Sequence, residues 1–99
     1  MKKGVRKASR DHAVVSVLGV DKVGIVAKVT GMLAKNSVNI VDISQTIMGD
    51  LFTMIMLLDL TGSDLEVDEL SKRLERLGKR IGVQILVQHE KVFRYMHRI

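Results

Sequence analysis

The sequence predicts an α+β fold of the ferredoxin-like type, a β-α-β-β-α-β sandwich with a short C-terminal helix. Two observations indicate it: two segments carry apolar residues at helical spacing, and four segments carry them in strand-like runs. A length of 99 residues suits a single domain. Because crossovers in a sheet are right-handed, we expect both helices on one face of a four-stranded antiparallel sheet. The first and third strands would then be central.

The first strand and helix follow from a valine-rich segment and an amphipathic one. Residues 13–19 are rich in valine and flanked by polar residues, which is typical of a strand. Apolar residues at i, i+3 and i+7 then predict a helix over residues 23–35. Asp21 is its predicted N-cap, and Asn36-Ser37 would end it.

The middle of the chain predicts a β-hairpin. Residues 38–48 alternate between apolar and polar, which indicates a half-buried strand. Gly49-Asp50 is a short turn, so residues 51–60 would return antiparallel. This third strand is apolar on both faces, as expected of a central strand. One face would carry Leu51, Ile55 and Leu57, and the other Phe52, Met54, Met56, Leu58 and Leu60.

The last third of the chain predicts a helix, a strand and a terminal helix. Ser63 and Glu66 have the S-x-x-E spacing of a capping box, so the second helix would begin there, and Gly82 would end it. Residues 83–88 alternate and predict the fourth strand, and residues 91–99 predict a short helix. The stripe on that last helix would be Val92, Met96 and Ile99.

The sheet face opposite the two helices is predicted to need a cover. The third strand gives it large apolar side chains, and a lone sheet would leave that face in water. The C-terminal helix, a second subunit or both would cover it. The second strand also lies at an edge, where free backbone groups favour pairing with another chain. We therefore predict a homodimer, formed either through that edge or through the sheet face opposite the two helices.

Charge divides the chain into two parts. The net charge is +5, and residues 1–12 alone carry five basic side chains against one acidic one. We predict that residues 1–12 form a flexible basic arm and that residues 13–99 form the single domain. Short basic runs bind polyanions non-specifically, so contact of the arm with nucleic acid or an acidic membrane stays open, but a solvated tail is the favoured interpretation. No apolar run approaches the ~20 residues of a membrane helix, so a soluble cytoplasmic protein is predicted, with no membrane partner.

Several kinds of chemistry are excluded or disfavoured. The chain has no cysteine, which excludes disulfides and thiolate metal sites. His89-Glu90 would begin an HExxH zinc motif, but Phe93 stands where the second histidine belongs. No catalytic set is recognisable, so we expect no enzyme activity, no metal and no cofactor. The three aromatic residues are too few for an RNA-binding sheet surface, so we do not expect nucleic acid there.

The turn after the first strand is the candidate binding site. It runs from Gly19 to Gly24 with the spacing of a phosphate loop, but the Lys-Ser/Thr that should follow is absent, so nucleotide hydrolysis is not predicted. Backbone N–H groups at the helix start and adjacent glycines remain, which suit either a ligand or a tight turn. The residues alone leave these two interpretations equally open.

The motifs resemble the ACT-domain family. The turn reads Gly-x-Asp-x-x-Gly-Ile-Val, and Ser37-Val38-Asn39-Ile40 leads into the second strand. The segments 42–47 and 52–54 and the ending from Gln88 are similar to a group of stand-alone ACT-domain proteins of uncharacterised function. The resemblance covers about residues 13–99. It implies a small module that binds an amino acid or related metabolite and regulates an enzyme or a transcription regulator.

The resemblance also implies the ligand-binding residues. The polar side chain of the turn corresponds to Asp21, and the backbone donors correspond to Gly24 and Ile25. Some relatives carry an upstream histidine where this chain has Gly19. The asparagine that commonly comes from the partner subunit corresponds to Asn39. The alternatives are a protein-docking module without a ligand and, third, a nucleic-acid accessory acting through the arm.

Overall fold

The computed structural model describes residues 12–20 and 23–96, which form one four-stranded antiparallel sheet and three helices. The strand order is β2-β3-β1-β4, so the first and third strands are central, as predicted. All three strand pairs are antiparallel. The elements are β1 His12–Val20, α1 Ile25–Lys35, β2 Asn39–Met48, β3 Leu51–Asp59, α2 Val67–Ile81, β4 Gln84–His89 and α3 Glu90–Met96.

The hydrophobic core lies between the sheet and the helices α1 and α2. Every second residue of β3 is buried on the helix side, and the intervening residues are more exposed, which confirms the predicted alternation. The buried stripes of both helices belong to the same core cluster, so both helices lie on one face of the sheet. The members with the largest fully buried side chains are Leu33, Met54, Met56, Leu58, Leu70 and Leu74.

Two predicted helix starts are wrong. The N-cap of α1 is Gly24, with φ of 90°, and not Asp21. The capping box predicted at Ser63 does not form, because its hydroxyl accepts from the Leu65 N–H at 3.1 Å inside a preceding turn. Glu66 is the N-cap of α2, without a side-chain capping bond. Acidic residues in the first turn of α2 still favour that helix end electrostatically.

The two helix ends follow the sequence signals. Asn36 is the C-cap of α1, and Ser37 adopts a left-handed conformation with φ of 60°. Gly82 ends α2 with φ of 80°, and its N–H donates to the Gly78 carbonyl at 2.8 Å. Gly78 itself allows close packing, since a Cβ there would lie 2.8 Å from the Val83 carbonyl oxygen.

The edge strand β2 differs from its prediction. It was expected to be half-buried, but all its residues except Ile40 are exposed. A β-bulge separates the pair Ile40–Leu58 from the pair Asp42–Leu57. Ile40 is the residue of β2 that packs against the core, so the helical layer covers the other three strands and leaves β2 beyond it. The alternation of apolar and polar residues predicts burial of one face of β2, but in the structure both faces of this strand are exposed.

The terminal helix α3 turns back over the sheet face opposite α1 and α2, which we call the open face. It contacts β1 and β4. Its Glu90 carboxylate lies 4.0 Å from His12 Nδ1, and the Gln88 amide donates to Met96 Sδ at 3.5 Å. The predicted helix is therefore present from Glu90. Its predicted apolar stripe is not buried in a single chain, since Val92 and Met96 are both exposed, and Ile99 lies outside the described residues.

Candidate functional site

The start of α1 is an open backbone surface. A Cβ on Gly24 would meet nothing within 4 Å, so this backbone is accessible from outside. The first intrahelical bond is donated by Lys28 N–H to the Gly24 carbonyl at 2.9 Å. The N–H groups of Ile25, Val26 and Ala27 therefore have no intrahelical acceptor. The first turn contains no acidic residue, so an anionic group could approach these donors without repulsion from that turn.

Ile25 contributes to this surface through its backbone only. Its side chain is 3% exposed and belongs to the core, so it fixes the position of the first turn of α1 on the sheet. The adjacent Val23 is fully exposed. Asp21, the predicted polar side chain of the turn, lies outside the described residues. Its proposed role in ligand binding therefore stays a prediction.

The presence of glycine at position 19 is explained by packing within the chain. A Cβ at this position would lie 2.7 Å from Cγ1 and 3.2 Å from Cβ of Val83, so the glycine leaves space for that valine to pack at the end of β1. Val83 is itself buried in the core. This geometry favours the tight-packing interpretation of Gly19 over direct approach of a ligand. Gly24, which is open, is the glycine of the turn with room for a ligand.

Gly19→Ala is expected to destabilise the protein by about 1–3 kcal/mol, because the new methyl group overpacks the contact with Val83. Val83→Ala alone also costs stability, since it removes buried methyl groups. The double variant should lose less stability than the sum of the two single variants, because Val83→Ala removes the clash. Urea denaturation of the three variants measures this coupling. Additive losses would show that Val83 is not what restricts position 19.

Asn39 lies at the other end of the sheet. It pairs with Asp59, which in turn pairs with His12 at the start of β1, whereas Gly19 pairs with Phe52. Gly19 follows His12 by seven positions along the strand, which corresponds to roughly 23 Å. Gly19, Gly24 and Ile25 thus lie at one end of β1 and Asn39 at the other. One chain alone does not bring the predicted site residues together.

The Asn39 end carries a polar group that the sequence analysis missed. The Thr61 hydroxyl donates to Asp59 Oδ1 at 2.6 Å, and the Thr61 N–H donates to the same oxygen at 2.9 Å. The hydroxyl bond is the main cause that lowers the pKa of Asp59, with the backbone bond and the nearby His12 acting in the same direction and burial acting against them. The D-x-T spacing at the end of β3 was the available signal.

A groove of about 480 Å³ lies elsewhere, along the outer edge of β4. It contacts residues from both faces of the sheet, so it wraps around an edge and does not enclose a ligand. It does not include Gly24 or Asn39. Its lining consists of Ser16, Leu18, Glu75, Lys79, Val83, Gln84, Ile85 and Leu86.

Within residues 12–20 and 23–96, no three His, Asp or Glu side chains are grouped so that they could hold a metal ion. None of the helices that the structure describes is long and apolar enough to cross a membrane.

The chain is similar to known proteins of one family. The family model described as ACT domain matches residues 11–88. A UPF0237 protein of Methanococcus maripaludis is 61% identical over 89 residues, which cover 90% of this chain and 99% of that protein. The solved ACT domain protein from Streptococcus pneumoniae is 35% identical, with a TM-score of 0.73, and the match covers 83% of this chain and 92% of that one.

A solved regulatory protein is also similar. It is the regulatory subunit of aspartate kinase from Thermus thermophilus, in its ligand-free form. It is 25% identical to this chain with a TM-score of 0.62, and the match covers 79% of this chain and 50% of that subunit.

Proposed function

This chain belongs to the ACT-domain family, as its motifs predicted, and from that premise we propose that it is a cytoplasmic, non-catalytic regulatory module that binds an amino acid as a homodimer. The single observation that carries the proposal is the open start of α1 at Gly24. Its similarity to a regulatory subunit of aspartate kinase supports a regulatory role. The partner that it would regulate is an enzyme or a transcription regulator.

The chemistry of the α1 start suits the carboxylate of an amino acid. The N–H groups that precede the first intrahelical bond attract a negative group, and the helix dipole adds to that attraction. The carboxylate of Asp21 would repel the ligand's carboxylate and attract its ammonium group. The two ends of an amino acid therefore match the two kinds of group that the turn supplies.

A second copy is required if Asn39 is to reach the same ligand. Within one chain Asn39 lies roughly 23 Å along the strands from the end that carries Gly24. In an isologous dimer, however, the Asn39 end of one chain can face the Gly24 end of the other. The homodimer and the ligand site are thus parts of one proposal, and Asn39 is the residue that links them.

The ligand is tested by thermal melting with each of the twenty common amino acids, after refolding has removed any co-purified molecule. At about 100 times its dissociation constant, a ligand adds roughly 2.7 kcal/mol to the free energy of unfolding. Each kcal/mol raises the midpoint of a domain this size by roughly 4–8 °C. Native mass spectrometry of the protein as purified reports the retained ligand and the subunit count together.

Asn39→Ala tests the contribution of the partner chain. We expect it to melt like the unmutated protein, because Asn39 is exposed, but to lose most of the rise in melting temperature that the amino acid causes. Thr46→Ala, which also changes an exposed residue of β2, is the matched control and should keep the rise. An equal rise in both variants would remove Asn39 from the site.

One observation favours a second function. Large apolar side chains are exposed on the open face of the sheet, including Leu86 at 56%, and such a surface also suits a protein-docking module without a ligand. If none of the twenty amino acids shifts the melting temperature of the stripped protein, amino-acid binding is wrong and this docking function takes its place.

A further inference from the structure

The open face of the sheet is divided into two halves. The first half, at the start of β1 and the end of β4, lies under α3, where Val14 is only 5% exposed. The second half lies toward the end of β1, and none of the three helices of residues 12–20 and 23–96 covers it. Five large apolar side chains of β1, β3 and β4 lie there, and each is between 39% and 56% exposed. We call them the bare half, which consists of Leu18, Val20, Leu51, Ile55 and Leu86.

The helix α3 has its own exposed apolar surface. Val92, Tyr95 and Met96 have the i, i+3 and i+4 spacing of one helical stripe, and they are 46%, 74% and 65% exposed. The stripe is held beside the bare half by the contacts of α3 with His12 and Gln88. An apolar ridge and an apolar recess therefore lie side by side on the same face of the molecule.

We propose that the open face binds the open face of a second copy, with α3 of each chain filling the bare half of the other. A two-fold axis between the two halves places each ridge opposite the partner's recess, as an isologous contact requires. A helix is about 10–12 Å across with its side chains, so one layer of two helices fits between the two sheets. This inference rests on the homodimer in the proposed function and states which surface forms it.

The size of the two surfaces suits such a contact. The bare half and the α3 stripe together contain eight large apolar side chains, each about half exposed. That amounts to several hundred Å² of apolar surface, which exceeds what most monomers leave in water. With the surrounding polar residues it approaches the ~800 Å² that each partner buries in a standard interface.

The other candidate surface, the free edge of β2, is partly occupied by its own chain. The Ile43 N–H donates to Asp42 Oδ1 at 2.9 Å, so this backbone donor already has an acceptor. A charged side chain on an edge strand also opposes pairing with another strand. The open face therefore fits a second copy better than the β2 edge does.

Two matched substitutions distinguish the surfaces. Leu86→Asp puts a charge on the bare half, and Ile47→Asp puts the same charge on β2, where Ile47 is 57% exposed. Sedimentation equilibrium at tens of micromolar should give a dimer for the unmutated protein and for Ile47→Asp. Leu86→Asp should raise the dimer dissociation constant by at least about tenfold, because it places a charge in an apolar contact. Circular dichroism checks that both variants are folded.

Cross-linking supplies a second test that does not weaken the interface. The chain has no cysteine, so single cysteines can be introduced without a background reaction. A mixture of Val92→Cys and Leu86→Cys proteins should give a covalent heterodimer with a short bismaleimide. Gly31→Cys replaces Leu86→Cys in the control, because Gly31 faces open space on α1, in the opposite layer. That mixture should give none.

The possible failures are distinguishable. If Ile47→Asp abolishes the dimer and Leu86→Asp does not, the contact is at the β2 edge, and this inference is wrong while the proposed homodimer stands. Equal cross-linking in both mixtures also overturns it. If the unmutated protein is a monomer, both the inference and the homodimer are wrong, and the melting-temperature screen with amino acids still decides whether a ligand binds.

Discussion

Asp21→Asn is expected to leave the melting temperature of the free protein nearly unchanged and to remove most of the rise that an amino-acid ligand causes. The N-cap of α1 is Gly24, so loss of the Asp21 charge should change stability by no more than about 0.5 kcal/mol, as is usual at positions without such a role. A bound amino acid would otherwise add roughly 2.7 kcal/mol at 100 times its dissociation constant. The variant should lose this rise because it lacks the carboxylate that we propose pairs with the ligand's ammonium group.

Glu75→Gln is the control for this experiment. It removes one negative charge from an exposed residue in the middle of α2, away from both Gly24 and Asn39, and should leave the ligand-induced rise intact. Melting curves of the three proteins, with and without the amino acid found in the screen, give the comparison. A full rise with Asp21→Asn would show that the carboxylate does not bind the ligand.

Leu74→Ala is expected to lower the free energy of unfolding by about 2–5 kcal/mol, the largest loss predicted for a single substitution in this protein. Leu74 is completely buried on the face of α2 that packs against the sheet, so the smaller side chain leaves a cavity in the core. In a domain this size each kcal/mol lowers the midpoint by roughly 4–8 °C. Thermal and urea denaturation both measure it.

Leu74→Met serves as the control at the same position. It nearly conserves the side-chain volume and should cost less than about 1.5 kcal/mol. If both variants lose the same stability, the loss comes from something other than a cavity. If Leu74→Ala melts like the unmutated protein, α2 does not hold the core as the structure describes.

The architecture was predictable because local patterns and packing agree over most of the chain. The alternation in β3 and the helical stripe in α2 each bury the residues that the period selects. Gly82 was predictable as a helix end because a left-handed residue is needed there and glycine adopts that conformation without strain. Strand order followed from the handedness of crossovers, which depends on topology and not on particular residues.

The remaining features depend on distances that no local pattern contains. The exposure of β2 depends on how far the helical layer extends over the sheet. The capping signal at Ser63 was ambiguous, because a serine hydroxyl can accept from a turn N–H as readily as from a helix N–H. Gly19 matched a family position, but only the packed structure shows that Val83 occupies the space beside it.

The motif names candidate site residues but not where they lie in the fold. It names Gly24 and Ile25, and the structure gives the first an open backbone and the second a buried side chain. It also names Asn39, and the strand register separates Asn39 from the other two. A register of this kind is fixed by the pairing of strands that are distant in sequence, which a linear motif does not record.

The central position of β1 has a consequence for how the chain acquires its structure. Ala13 pairs with Leu58 and also with His89, so β1, which the ribosome makes before β3 and β4, can be completed on both sides only after β4 has been made. The β2–β3 hairpin is the local pairing of the sheet, while the pairings of β1 join distant segments. Because distant pairings slow folding, this small protein should fold more slowly than a helical bundle of equal length. Before β4 has been made, the β1 strand of the growing chain has an unpaired edge. The growing chain is therefore most prone to aggregate during this stage of synthesis.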